Sequence, residues 1–228
     1  MLFKDRREAG KRLAEELKSY AGKDTIVLAL PRGGVVIGFE VAKALQVPLD
    51  VIITRKIGAP TAPEYAIGAV AENGEVLLND EEIRLLGISR RYIDEEIRRQ
   101  KIEIERRIGL YRGGKRLPSL SGKRVILVDD GIATGFTVKT SIRAVRAENP
   151  RELVLAVPVA PAEVIDELAP LVDAVVCLAT PSPFIAVGAW YRSFEQTTDD
   201  EVRSLLDAAR RAPRRQSSTH GQSSTSDL

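Results

Sequence analysis

Along the chain, short runs of consecutive apolar residues alternate with stretches whose apolar positions recur every three or four residues. The runs Thr25–Leu30, Leu49–Thr54, Val125–Val128, Glu152–Val159 and Asp173–Ala179 are apolar on successive positions rather than alternate ones, the pattern of parallel strands buried on both faces. Helical spacing marks Leu2–Tyr20, Val35–Leu45, Thr137–Glu148, Pro161–Leu168 and Thr197–Arg211. Strand–helix alternation of this kind predicts an α/β fold, a parallel sheet with helices on both faces and right-handed crossovers. One antiparallel addition is expected: Ala66–Glu72 and Glu75–Asn79 flank Asn73-Gly74, a strong hairpin signal, which would extend the sheet beside its second strand.

Two of the predicted strands end in loops of small residues. The first is the stretch from Val125 to Thr137. Its apolar strand stops at Asp129 and Asp130, and Gly131, Ala133, Thr134, Gly135, Phe136 and Thr137 then lead into a helix. Backbone N–H groups of such a loop and helix start point at an anion, and the helix dipole adds to the attraction. Thr134 and Thr137 offer hydroxyls to the same oxygens. Paired carboxylates would repel a bare phosphate. They suit a ligand that also carries hydroxyls or a metal ion, as a ribose 5-phosphate does. The plain structural reading is an acidic pair that caps the following helix. The second loop is Pro31-Arg32-Gly33-Gly34, after the first strand. Taken alone it is equally a turn that needs glycine. Both loops serve one ligand only if their strands are neighbours, so the switch point of the sheet is expected between them.

The Asp129-Asp130 to Thr137 stretch resembles the phosphoribosyl-pyrophosphate (PRPP) signature of type I phosphoribosyltransferases: an apolar strand, two acids and a Thr-Gly-x-Thr loop. No Lys follows the glycines, so it is not a Walker-type P-loop. The resemblance covers residues 1–211. It implies transfer of a phosphoribosyl group from PRPP to a nucleobase-like acceptor with release of pyrophosphate. Mg²⁺ is implied as cofactor, held mainly by PRPP and water rather than by protein ligands. By the same resemblance Asp129 and Asp130 hold the ribose hydroxyls and residues 131–137 the 5-phosphate. Gly33 and Gly34 offer N–H groups to pyrophosphate beside a cis peptide at Pro31–Arg32, and Arg32, Arg55 and Lys56 supply its counter-charge. Residues 57–64, punctuated by Gly and Pro, would form a mobile lid. The fold also serves proteins that sense PRPP or a nucleotide without turnover, which remains an alternative reading.

The segment 181–195 is the aromatic-dense one. It reads as a small satellite core or, by resemblance, as the hood over the acceptor ring, with Phe184, Val187, Trp190 and Tyr191 as candidates to line it. Members that act on 6-oxopurines carry a Lys just before the hood. Here that neighbourhood is Leu178–Pro183 without one, which argues against hypoxanthine or guanine.

A helical insertion, 80–116, lies outside the minimal fold. Ile93, Ile97, Ile104, Ile108 and Tyr111 make a narrow stripe that could pack on the parent domain or on a second copy in a homodimer. Its Arg pairs alternate with Glu, which favours a solvated face over a nucleic-acid surface, although an RNA-associated regulator would use the same helix. The chain of 228 residues has 34 basic and 32 acidic side chains, a net +2 that argues against nucleic acid as obligatory partner. One Cys and one His argue against a zinc centre, and the place of that His220 in the polar C-terminal stretch argues against histidine catalysis. The absence of a leader-type or membrane-spanning apolar stretch leads to the expectation of a cytoplasmic protein with no membrane partner. The whole reads as one domain over 1–212, followed by a polar tail, 213–228, expected to be disordered.

Overall fold

The computed structural model describes residues 3–212, so the expected tail lies outside the described residues. The chain runs α1 (Arg6–Glu16), β1 (Thr25–Ala29), α2 (Gly33–Leu45), β2 (Leu49–Val51), β3 (Thr54–Ala59), β4 (Ala62–Ala71) and β5 (Val76–Leu78). It continues with α3 (Asp80–Leu85), α4 (Arg90–Arg112), β6 (Arg124–Val128), α5 (Phe136–Ala147), β7 (Glu152–Val159), α6 (Ala162–Leu168), β8 (Ala174–Ala179) and α7 (Asp199–Arg211). Five strands form a parallel sheet in the order β2-β1-β6-β7-β8.

The sheet is parallel because its strands are apolar on both faces, and both are covered. Val27, Ala29, Ile126, Val128, Val154 and Ala156 pack on one side with residues of α1, α2 and α7. Ile26, Leu28, Val125, Leu127, Leu153 and Leu155 pack on the other with Val138, Ile142 and Val145 of α5. Thus β1 sends its helix to one face and its neighbour β6 to the opposite face. Their crossovers diverge, and the switch point falls between them as expected.

The run Leu49–Thr54 is not one strand. Leu49–Val51 pairs with β1, Ile52 and Ile53 make the crossing, and Thr54 opens β3 in a separate three-stranded antiparallel sheet, β3-β4-β5. The apolar run is continuous because both sides of the crossing are buried, and it contains no Gly or Pro to mark the break. The hairpin at Asn73-Gly74 is present, with Gly74 at φ +94°, but it belongs to this second sheet rather than to the edge of the first. Residues 57–64 are likewise not a loop. Ile57, Gly58 and Ala59 pair with Gly68, Ala66 and Ala62 in an irregular ladder that closes at a tight turn, Pro60-Thr61, so the expected lid is a β-hairpin.

The long insertion helix α4 turns its stripe inward, onto the parent chain. Ile93, Ile104, Ile108 and Tyr111 are buried against β3, β4 and α7. Its outer face carries ion pairs at i,i+4 spacing, Arg90 with Asp94 and Arg91 with Glu95. Among the described residues no helix is long and apolar enough to cross a membrane.

Candidate active site at the switch point

The site is built where β1 and β6 end side by side. Ala29 lies opposite Val128, and the next backbone bond, Leu30 N–H to Val128 O at 2.9 Å, locks the Pro31–Gly34 loop to the start of the acidic loop. The Pro31–Arg32 peptide is cis, at the position the sequence suggested. Close approach explains Gly33: a Cβ there would stand 1.8 Å from Asp130 Oδ2. Gly135 occupies the N-cap of α5 at φ +77°, a left-handed conformation that glycine adopts without steric cost.

Neither α2 nor α5 has a side-chain cap at its N-terminus. Val35 N–H is taken by Arg32 O at 3.1 Å, and the remaining first-turn N–H groups are left for an outside partner, with two positive dipole ends converging on one crevice. Thr134 and Ala133 are exposed at the lip, Thr137 is half-buried, and the Asp pair lies between the two helix starts.

Asp129 accepts the backbone N–H of Asp130 at 2.8 Å. Burial and then the neighbouring Asp130 charge push its carboxyl well above the ordinary 3.8. Burial also raises Asp130, against the opposing charge and hydrogen bond of Arg6, whose Nε donates to Asp130 Oδ2 at 2.6 Å. Arg6 is a site residue that the sequence did not disclose. It stands in the first turn of a charged amphipathic helix, without any motif around it. Its guanidinium also lies 3.7 Å from the Phe194 ring centroid and donates to Glu195 O, tying α1, the acidic loop and the hood together.

Of the expected hood residues, Tyr191 turns inward. Its hydroxyl donates to Asp130 O, its ring packs on Phe3 and Phe194, and burial holds its phenol far above the ordinary value of 10.0. Tyr191 therefore buttresses the acidic loop instead of lining an acceptor pocket. Val187 rests on Gly131, whose added Cβ would be 2.5 Å from Val187 Cγ1. Phe184 and Trp190 pack on each other with centroids 6.4 Å apart.

The structure separates the basic residues more than their spacing suggested. Arg32 sits at the start of α2 and faces Asp199 of α7, 3.8 Å away. Arg55 and Lys56 do not end a parallel strand. They are consecutive in β3 and so point to opposite faces. Arg55 turns toward α4, donating to Gln100 Oε1 at 3.0 Å, whereas Lys56 pairs with the exposed Glu64 of the hairpin. Burial, followed by the charge of Arg107, lowers the Arg55 pKa, and Arg32 adds to the effect.

A doubly wound parallel sheet with two uncapped helix starts and an acidic pair at its switch point places the chain in the class of open α/β folds that present backbone N–H groups to an anion. Residues 4–188 match the family model described as the phosphoribosyl transferase domain. Two chains from strains of Mycobacterium tuberculosis, both provisionally named phosphoribosyl transferases, are 48% identical over 210 residues, 92% of this chain and 47% of theirs. The chain thus spans about half the length of those relatives. The crystal structure of TT1426 from Thermus thermophilus superposes with TM-score 0.75 at 42% identity, covering 90% of this chain and 98% of that one. The protein belongs to the phosphoribosyl transferase domain family.

Proposed function

We propose that the chain binds PRPP at the switch point and transfers its phosphoribosyl group to a nucleobase-like acceptor. The observation that carries this reading is the pair of uncapped helix starts, α2 and α5, facing one crevice with Asp129 and Asp130 between them. The 131–137 loop and the α5 start take the 5-phosphate, with Thr134 and Thr137 donating hydroxyl hydrogen bonds. The carboxylates accept from the ribose hydroxyls. Gly33, Gly34 and Arg32 receive the pyrophosphate. The C1–O bond to the diphosphate breaks with its electron pair leaving on pyrophosphate, a lone pair of the acceptor nitrogen bonds to C1, and the acceptor's proton passes to solvent.

No acid–base side chain is required at the reacting centre. The work is to hold the ring rigidly and stabilise the leaving anion. Mg²⁺ would neutralise the charge of the diphosphate. The hard carboxylate oxygens of Asp129 and Asp130 suit that ion, and no cluster of three or more His, Cys, Asp or Glu encloses it among the described residues. Its ligands would then be mainly diphosphate oxygens and water. Before the ribose can reach Asp130, Arg6 must yield one carboxylate oxygen or share it. The hood segment carries no Lys, and its Trp190 Nε1–H is buried without a protein partner among the described residues.

The test is calorimetry of the folded protein with PRPP and with a nucleoside 5-monophosphate, with and without Mg²⁺, followed by pyrophosphate release over purine, pyrimidine and non-base acceptors. Binding of neither ligand would overturn the reading.

A further inference from the structure

The insertion helix α4 is not needed to complete the parallel sheet, yet one of its faces is chemically continuous with the Arg32 loop. Gln100, Glu103, Arg107 and Tyr111 are spaced three or four residues apart and share that face. Gln100 holds Arg55 of β3. The Tyr111 hydroxyl donates to Asp199 Oδ1, and Arg106 reaches Asp199 Oδ2 at 3.2 Å. Asp199 is also the partner of Arg32, but at 3.8 Å, beyond hydrogen-bond length. Arg107 is buried, with Nε fixed to Glu103 Oε1 at 2.8 Å.

The charges in this cluster do not balance. Four guanidinium groups, of Arg32, Arg55, Arg106 and Arg107, meet two carboxylates, of Glu103 and Asp199. Arg106 and Arg107 both draw on Glu103, whose carboxyl is held down at about 2, first by the Arg106 hydrogen bond. Asp199 divides its charge among Tyr111, Arg106 and Arg32. Burial alone would raise it, but the Tyr111 and Arg106 hydrogen bonds leave it below the ordinary value. Arg55 pairs with no carboxylate among the described residues, and its half-buried guanidinium takes only a neutral amide. A latch between α4 and α7 would need no surplus of cations. Gathering guanidinium groups in a partly desolvated place is unfavourable unless an anion arrives to join them.

Resting on the phosphoribosyl transfer reading, we propose that α4 completes the pyrophosphate site: Arg107, with Arg32 and Arg55, forms a three-guanidinium cradle for the leaving diphosphate. Arg107 is then a specificity residue supplied by the insertion. Planar forks suit a diphosphate, whose oxygens accept two parallel bonds from each. Asp199 keeps Arg32 nearby at a distance that leaves its fork free to turn to the ligand.

The experiment measures affinities of the full chain and of Arg107→Ala for inorganic pyrophosphate, PRPP and a nucleoside 5-monophosphate, with melting temperatures recorded alongside. Arg107→Lys is the second variant, in case the truncation does not fold. The expected result is a loss of about tenfold or more for pyrophosphate and PRPP in Arg107→Ala, with the monophosphate unchanged. Arg107→Lys should restore part of the loss, since the charge returns without the fork. A merely structural role would move all three ligands together or none, and either pattern overturns the inference while PRPP binding by the native chain leaves the functional reading intact. If the native chain binds neither PRPP nor the monophosphate, the functional reading falls and this one with it.

Discussion

The helix starts of this molecule fall into two groups. α1, α3, α4 and α7 each begin under a side-chain cap, from Asp5, Asn79, Ser89 and Thr198. α2, α5 and the seven-residue α6 begin without one, on Arg32, Gly135 and Pro161, and of these α2 and α5 open at the switch point. A cap satisfies the first-turn N–H groups at home. Where the sequence omits it on a long helix beside a small-residue loop, those groups are left for a ligand. The capped ends should therefore matter to stability, and the two uncapped ends at the switch point to binding.

The largest effect is expected of Gly33→Ala at the α2 start, an uncapped position where stability and binding are lost together because of a steric clash. Its methyl would collide with Asp130 Oδ2, so it should disturb the Arg6–Asp130 pair and cost about 1–3 kcal/mol of stability. PRPP affinity measured by calorimetry should fall with it. Gly109→Ala in the α4 interior, where an added Cβ meets nothing within 4 Å, is the contrasting case: about 1 kcal/mol of stability gained, binding unchanged.

Next in size is Asp129→Asn. The Asp129 carboxyl lies well above 3.8 in the folded protein, raised by burial and by Asp130, so the folded state binds more protons than the unfolded one between those values. Stability contributed by this group is lost as pH rises through that window. Removing the charge should raise the melting temperature at neutral pH and flatten its fall with pH. It should also weaken ribose recognition by about 1–3 kcal/mol. A melting temperature that does not rise would show that the pair is not strained by its own charge.

The smallest effects form a crossed pair. Ser89→Ala, at a capped end, should lower stability by about 1 kcal/mol and leave ligand affinity as it is. Thr134→Val, at an uncapped end, should weaken PRPP and a nucleoside monophosphate alike by about 1 kcal/mol with the melting temperature unchanged. Exchange of these outcomes would abolish the distinction between the two kinds of helix start.

The switch-point loops were legible because their chemistry is local. Asp129 to Thr137 and Pro31 to Gly34 carry strand end, small residues and helix start within a few positions. The adjacency of β1 and β6 followed from the need for the two loops to act together. What escaped reading is held by contacts distant in sequence. Arg6 meets Asp130 across 124 positions, and Tyr111 meets Asp199 across 88. Both Arg6 and Asp199 sit in helix first turns where a charge needs no further explanation. Neighbours on α4 part company for the same reason: Tyr111 meets Asp199, whereas Arg112 goes to Glu72 and Asp50. The split of Leu49–Thr54 was hidden because Ile52 and Ile53 are as buried as any strand residue.

That crossing gives the molecule two separable ladders. Ile52 N–H closes the last rung of the parallel sheet on Ala29 O, while Ile53 N–H is taken by Glu72 Oε1 and Ile53 O by Glu72 N–H. No backbone bond of the β3-β4-β5 ladder belongs to the parallel sheet. Amides of the small sheet can thus exchange with solvent deuterium through an opening that breaks no rung of the large one, with the carboxylate of Glu72 as the hinge pin.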